Sequence, residues 1–256
     1  MAIYDSLQLR EIFHLEFLRW LCRKLRLEYF ALKGGVNLRF FFNSIRYSED
    51  IDLDVHKINV ETLKEIVMKI LNTPSFQESF IPFGIINIVP PDITKAKQTE
   101  TTQRFKVHLI TKSGEDLFTK IEFSRRGIKG RVLVQSVSSF ILRGYKLSPL
   151  LVPHYDVQST IIQKIDAIVR RSIVQPRDIF DLYILISQYN PDDSEAIAIN
   201  RAKLNQACNN VFEVGFMQFR DTVLQYLHPD DQPLYNSSVL WDEIKLKTAN
   251  FIEGLR

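Results

Sequence analysis

Apolar positions recur at helical spacing across residues 5–27, at Leu7, Ile12, Leu15, Leu18 and Leu21, and predict an amphipathic helix. YFALKGG, 29–35, reads as a short strand entering a glycine turn, and VNLRFFFN continues as a helix. In the stretch that follows, Ile51, Leu53 and Val55 alternate with Asp50, Asp52 and Asp54, which is the period of a strand. Residues 59–72 return to helical spacing. The runs 80–89, 104–111 and 117–124 are rich in β-branched and aromatic residues and predict three further strands. PPDITKAKQTETTQ, between the first two, is polar and predicts an exposed loop or hairpin tip. Together these give an α/β half with a mixed sheet. KLSPLLVP, 146–153, carries two prolines and reads as a boundary. Beyond it helices are predicted at 155–171, 177–189, 194–216, 218–227 and 237–253. The expected class is therefore α/β (α+β), with one domain over 1–148 and a helical C-terminal domain over 149–256. A cleft between two such domains is the default place for a ligand.

Composition narrows the class of protein. The 256 residues are 45% hydrophobic and 25% charged, as in soluble globular proteins. Cys22 and Cys208 stand apart, with no Cys or His at ligand spacing, which argues against a zinc site and a disulfide scaffold and fits a reducing cytoplasm. No signal peptide and no membrane-spanning run are expected. The net charge is only +3, but basic residues gather in three places: Arg19, Arg23, Lys24 and Arg26; Lys95, Lys97, Arg104 and Lys106; and Arg125, Arg126, Lys129 and Arg131. Each cluster alone suits a solvated face; three together suit a polyanionic partner.

The chemistry concentrates in IRYSEDIDLDV, residues 45–55. Side chains two apart on a strand share a face, so Asp50 and Asp52 project together. Paired carboxylates repel, and the arrangement needs either solvent on an edge strand or a divalent cation with oxygen ligands. Just upstream, Lys33, Gly34 and Gly35 end a strand and open a helix, where free N–H groups and the helix dipole form either a cradle for phosphates or a simple tight turn. Glu122, alternating with Ile121 and Phe123, should face away from the core and supply a third carboxylate, as metal ligand or base. Ser48 either contacts metal or phosphate or shapes the turn, and Arg39 and Arg46 either bind phosphate or are solvated. The five histidines show no ligand spacing.

Taken in order, LKGGVNLRFFFNSIRYSEDIDLDV, KIEFSRR and QKIDAIVRRSIVQPRDIFDLYIL resemble the AbiEii/AbiGii-type toxin nucleotidyltransferases of the polymerase-β-like superfamily. The likeness spans residues from about 30 to 186, with fourteen residues between Gly35 and Asp50, slightly more than is usual in the superfamily. It implies a polymerase-β-like nucleotidyltransferase domain followed by helices. Asp50, Asp52 and Glu122 would hold Mg²⁺ (or Mn²⁺), and Lys33, Gly34, Gly35, Ser48, Lys164 and Arg177 would bind an NTP. Asp50, Asp52, Lys164, Asp178 and Asp181 would serve catalysis, with Lys164 reaching the triphosphate and Asp178 or Asp181 orienting it. Asp178 also suits the first turn of its helix, and Asp181 could pair with Lys164 or Arg177. The resemblance further implies a toxin of a toxin–antitoxin or abortive-infection system that adds a nucleotide to an RNA acceptor, the 3′ end of tRNA, and blocks translation. A cognate antitoxin, often with a winged-helix domain, would be its partner. Transfer to a small molecule or a protein hydroxyl, a non-catalytic NTP-binding module, and a plain RNA- or partner-binding domain with a decayed site are the alternatives; the near-complete set of acidic and glycine positions argues against the last.

Overall fold

The computed structural model describes residues 4–94, 96–191 and 199–255. The chain divides into two compact units. The first runs to Phe41 and resumes over Tyr47–Tyr155; the second takes Phe42–Arg46 and the chain from Asp156 onward.

The first unit opens with helix α1 (Ser6–Lys24). Its start is fixed by a reciprocal cap: the Asp5 carboxylate accepts from the Leu7 and Gln8 N–H groups, and the Gln8 side chain accepts from the Asp5 N–H. There follow β1 (Phe30–Lys33), α2 (Gly34–Phe41), β2 (Ile51–Val55), α3 (Val60–Leu71), α4 (Pro74–Glu78), β3 (Ile85–Val89), β4 (Thr102–Thr111), β5 (Asp116–Ser124), β6 (Val132–Ser136), α5 (Ser139–Gly144) and β7 (Leu151–Tyr155). Among the described residues seven strands form one sheet in the order β3-β4-β5-β2-β1-β7-β6. It is mixed: β2 runs parallel to β5 and β1 to β7, and the other pairs are antiparallel.

Period two divides the central strands cleanly. Ile51, Leu53 and Val55 of β2 are buried, with Ile121 and Phe123 of β5 and Phe105 and Val107 of β4 in the same core. Helix α1 joins that core through Phe13, whose ring lies 6.2 Å from Phe76 and 5.8 Å from Phe80. The opposite face of β2, β4 and β5 carries the polar residues.

The strands expected at 104–111 and 117–124 and the helices at 5–27 and 59–72 form within a few residues of their expected ends. The strand expected over 80–89 is shorter, because Ile81–Phe83 make a helical turn closed by Gly84 at φ 97°. The boundary at 148/149 moves. Residues 151–155, read with the helical half, form β7 and belong to the first unit. Pro153 reads against a strand, yet Val152, Pro153, His154 and Tyr155 are all buried and β7 pairs with β6 along its length. Strand β6 and helix α5 carried no clear period and were not foreseen.

The second unit is built from α6 (Val157–Arg170), α7 (Pro176–Ile186), α8 (Arg201–Phe212), α9 (Phe216–Thr222), α10 (Gln232–Tyr235) and α11 (Ser238–Gly254). The part of the helix expected from 194 that covers 194–198 lies outside the described residues. Trp241 is fully buried, stacks on Phe219 with ring centroids 4.3 Å apart, and donates its indole N–H to the Val214 carbonyl at 3.0 Å. The early segment Phe42–Arg46 is tied in by an antiparallel bridge between Arg46 and Leu227.

Candidate active site

The site in the first unit is written on the polar face of the sheet. Asp52 pairs in register with Glu122 of β5 on one side and Lys33 of β1 on the other. Glu122 in turn pairs with Arg104 of β4. Residues in register on adjacent strands point the same way, so Lys33, Asp52, Glu122 and Arg104 form one row across four strands. Asp50 and Asp54 flank Asp52 on the same face.

Each carboxylate has a definite setting. Asp50 lies just before β2. Its two oxygens take the Lys120 backbone N–H at 3.0 Å and the Lys120 ammonium at 2.7 Å. Ser48 donates its hydroxyl to the Asp50 carbonyl at 2.8 Å, so it shapes the turn that delivers this carboxylate. Glu122 accepts from Arg104 Nε at 2.5 Å, and that bond with the attraction between them raises the guanidinium pKa above its ordinary value. Asp54 is buried, with Lys33 Nζ at 2.6 Å from one oxygen and the Tyr155 hydroxyl at 2.7 Å from the other. Burial, then the Asp54 carboxylate, push the Tyr155 phenol up, so it remains a donor. Neither Asp54, seen only as part of the alternation, nor Tyr155 was among the expected site residues. The alternation that exposed Asp50 and Asp52 also marks Asp54, but nothing in the sequence ties Tyr155 to it, 101 residues away.

Gly34 explains the glycine turn. It sits at φ 69°, where other residues pay for their Cβ. A Cβ built there would lie 2.8 Å from Asp52 Oδ2. The backbone at the start of α2 therefore approaches the Asp52 carboxylate as closely as only glycine permits. Gly35 is buried within α2.

The expected ligands Asp50, Asp52 and Glu122 share one face, but among the described residues no three His, Cys, Asp or Glu side chains are gathered closely enough to hold a metal ion. Glu122 leans toward Arg104 and Asp50 toward Lys120. The donor set is nonetheless all oxygen, exposed on one side and backed by the Gly34 cradle, which fits a hard divalent cation.

The second constellation lies wholly in the second unit. Lys164 of α6 is buried, with its ammonium 3.1 Å from Asp178 and 2.6 Å from Asp181, both on α7. Asp178 and Asp181 are three apart, one helical turn, so both reach the same lysine. Arg171 Nε lies 3.0 Å from the other Asp178 oxygen, which accepts no hydrogen bond among the described residues. Arg46 takes Asp181 by a fork, through Nε at 3.0 Å and Nη2 at 3.0 and 2.9 Å. Burial opposes the charge on Lys164, yet Asp181 and Asp178 outweigh it and hold the ammonium pKa above the ordinary lysine value. Burial likewise raises Asp181, and Arg46 and Lys164 outweigh it and hold the carboxyl below the usual range.

This settles several expectations. Asp181 pairs with Lys164 and with Arg46, while Arg177 is exposed and makes no ion pair among the described residues. Arg46 is buried and paired with Asp181, so it is not a solvated charge. Arg39 pairs with Glu11 at 2.7 Å, so it too is not a solvated charge. Of the basic clusters, Arg19 is bound to Glu16 and two backbone carbonyls, Arg125 reaches Gln103 and the Ile58 carbonyl, and Lys95 lies outside the described residues. His56 contacts the Glu28 carbonyl. No described helix is long and apolar enough to cross a membrane.

Comparison with known proteins places the fold. JHP933 from Helicobacter pylori is 20% identical, with a TM-score of 0.56 over 99% of this chain and 98% of that one. MenT4, a nucleotidyltransferase toxin from Mycobacterium tuberculosis H37Rv, is 14% identical, with a TM-score of 0.64 over 97% of this chain and 84% of that one. At these identities the likeness is one of fold. No curated protein sequence matches the chain. Residues 17–238 match the family described as nucleotidyl transferase AbiEii toxin, type IV toxin–antitoxin system. The chain thus belongs to the AbiEii family and is a nucleotidyltransferase toxin of a type IV toxin–antitoxin system.

Proposed function

We propose that this enzyme moves a nucleotide from an NTP to a hydroxyl of an RNA acceptor, the 3′ end of tRNA, and thereby blocks translation. The observation that carries the reading is the row of Asp52 and Glu122 in register, with Asp50 beside them and Gly34 pressed against Asp52. Asp50, Asp52 and Glu122 would hold Mg²⁺, which when bound supplies positive charge to the phosphates. The backbone N–H groups at the start of α2 face the phosphates. The acceptor oxygen forms its bond to the α-phosphorus, the α–β phosphoanhydride bond breaks, and pyrophosphate leaves with the electron pair. The acceptor's proton passes to a carboxylate on the same face, a part we give to Glu122 as the alternative to metal ligation. Most of the acceleration then comes from positioning and fixed charge. Lys164 and Arg177 enter as nucleotide-binding residues on the strength of their motif. Their test is the KM for NTP in Lys164→Ala and Arg177→Ala. The family implies an antitoxin partner; we take it to be a winged-helix protein acting in the cytoplasm.

Incubation with Mg²⁺, total tRNA and each α-labelled NTP in turn tests the core of this reading. Label should appear on tRNA with at least one NTP and vanish in the Asp50→Ala/Asp52→Ala double variant. Label on a small molecule or on protein, with none on RNA, would replace the acceptor. Bound nucleotide with no pyrophosphate released would make the protein a binding module.

A further inference from the structure

The polar face of the sheet does not end at the carboxylates. Along β5 the same face continues from Glu122 through Lys120 to Phe118 and Asp116, and along β4 from Arg104 through Lys106 to His108. Phe118 is 38% exposed, although a phenylalanine on a strand ordinarily finds cover. Its surroundings are basic and aromatic. Lys106 Nζ stands 4.5 Å above the ring centroid and makes no ion pair among the described residues. The His108 ring lies 6.4 Å away, tilted by 46° and held by Asp116. Beyond the start of β2 this part of β5 has no strand neighbour on that side among the described residues. Arg10 of α1 takes its place, donating Nε to the Phe118 carbonyl at 2.9 Å and pairing with Glu49 at 3.7 Å. The ring is thus carried on fixed backbone, with only the Lys106 side chain and solvent over its face.

Position gives this ring a use. The Asp50 carboxylate is bound to Lys120, two residues from Phe118 on the same strand face. Two residues of strand span about 7 Å, which is roughly two stacked base steps of about 3.4 Å. Every base has a π face, so an aromatic ring on an open sheet with flexible lysines beside it receives single-stranded nucleic acid with little regard to sequence.

We infer that Phe118, with Lys106 and His108 around it, is the platform on which the single-stranded end of the RNA acceptor stacks, one or two nucleotides from the reacting hydroxyl. This rests on the proposed transfer to RNA and adds to it the residue that positions the acceptor. An incoming base displaces the Lys106 ammonium from the ring. The exposed cation–π contact is weaker than base stacking, and the freed cation meets the adjoining phosphate. Of the cluster of Lys95, Lys97, Arg104 and Lys106 noted in the sequence, the last three then have their place, since Arg104 lies in the proposed catalytic row and its N–H bonds the Lys97 carbonyl at 2.8 Å.

The test separates acceptor from nucleotide. In Phe118→Ala the KM for tRNA should rise about 5- to 150-fold, the range of one lost base stack, with the KM for NTP unchanged. Phe118→Trp should keep activity, and a short oligoadenylate RNA should quench its fluorescence beyond any change in the wild-type protein, which carries Trp20 and Trp241. An unchanged KM for tRNA together with no quenching overturns the platform. Quenching by NTP alone, with the KM for NTP raised in Phe118→Ala, overturns it in favour of the donor nucleotide's base and leaves the transfer reading intact. Quenching by oligoadenylate in a protein that labels no RNA keeps the platform and removes the transfer reading.

Discussion

Gly34 and Asp52 constrain each other at the scale of single atoms. Alanine at position 34 must accept φ 69° and place a methyl 2.8 Å from Asp52 Oδ2. The backbone term alone costs about 1–2 kcal/mol. Gly34→Ala should therefore lower the melting temperature by roughly 2–8 °C and reduce transfer by more than that loss explains, because the carboxylate is displaced; thermal melts beside kcat at saturating NTP would show it. Asp52→Asn keeps the shape and removes the charge. It should cut kcat by about 10²–10³-fold or more with the melting temperature unchanged, and a protein that melts early instead would mean that Asp52 holds the fold. Both residues were legible in the sequence, since glycine at a strand-to-helix turn and aspartates at period two have local causes. Asp54 was only half legible. Its alternation was visible, but its burial against Lys33 and Tyr155 is set by strands that meet only in the folded sheet.

Elements repeat the lesson. The central strands β2, β4 and β5 were legible because one face of each is buried and the other wet. Strands β6 and β7 were not, because β6 is an exposed edge without alternation and β7 contains a proline. In the helical unit, the Lys164-x-x-Ala167-x-x-x-Arg171 and Arg177-Asp178-x-x-Asp181 spacings describe one object: α6 and α7 joined by buried charge. Removing one partner from such a network leaves the others uncompensated, at a cost of about 3–5 kcal/mol. Asp181→Ala should destabilise the protein by that amount in urea titration, because it strands both Lys164 and Arg46. Asp178→Ala should cost less, since Lys164 keeps Asp181 and Arg171 is partly solvated. Equal losses would mean that the two aspartates share the load evenly. Activity lost in Asp181→Ala would then first be a statement about packing.

Across the whole molecule, acid sensitivity should come from the sheet unit. His14 is fully buried with its Nε2 2.9 Å from the Thr119 hydroxyl, and burial, then the charge of Arg10, lower its pKa to about 3. The unfolded chain binds this proton near pH 6.5, so the contribution of neutral His14 is complete above that pH and is lost as pH falls toward 3. At pH 5 the loss is about 2 kcal/mol. The network of the helical unit acts elsewhere: lowered Asp181 loses its contribution only as pH falls below the ordinary carboxylate value of 3.8, and raised Lys164 only as pH rises above 10.5. Denaturant midpoints measured from pH 7 to 5 should fall in the wild type and stay flatter in His14→Gln; parallel slopes would assign the effect to other groups. The route of the chain adds a consequence in time. Arg46 is made early and its partner Asp181 comes 135 residues later. At roughly 5–20 residues per second that wait is on the order of ten seconds. Through it, the segment that runs straight into Asp50 and Asp52 has been made while the partner of Arg46 has not, so a chain cut short between Glu122 and Asp181 carries every carboxylate of the proposed row and lacks the Arg46–Asp181 pair on the stretch that leads to them.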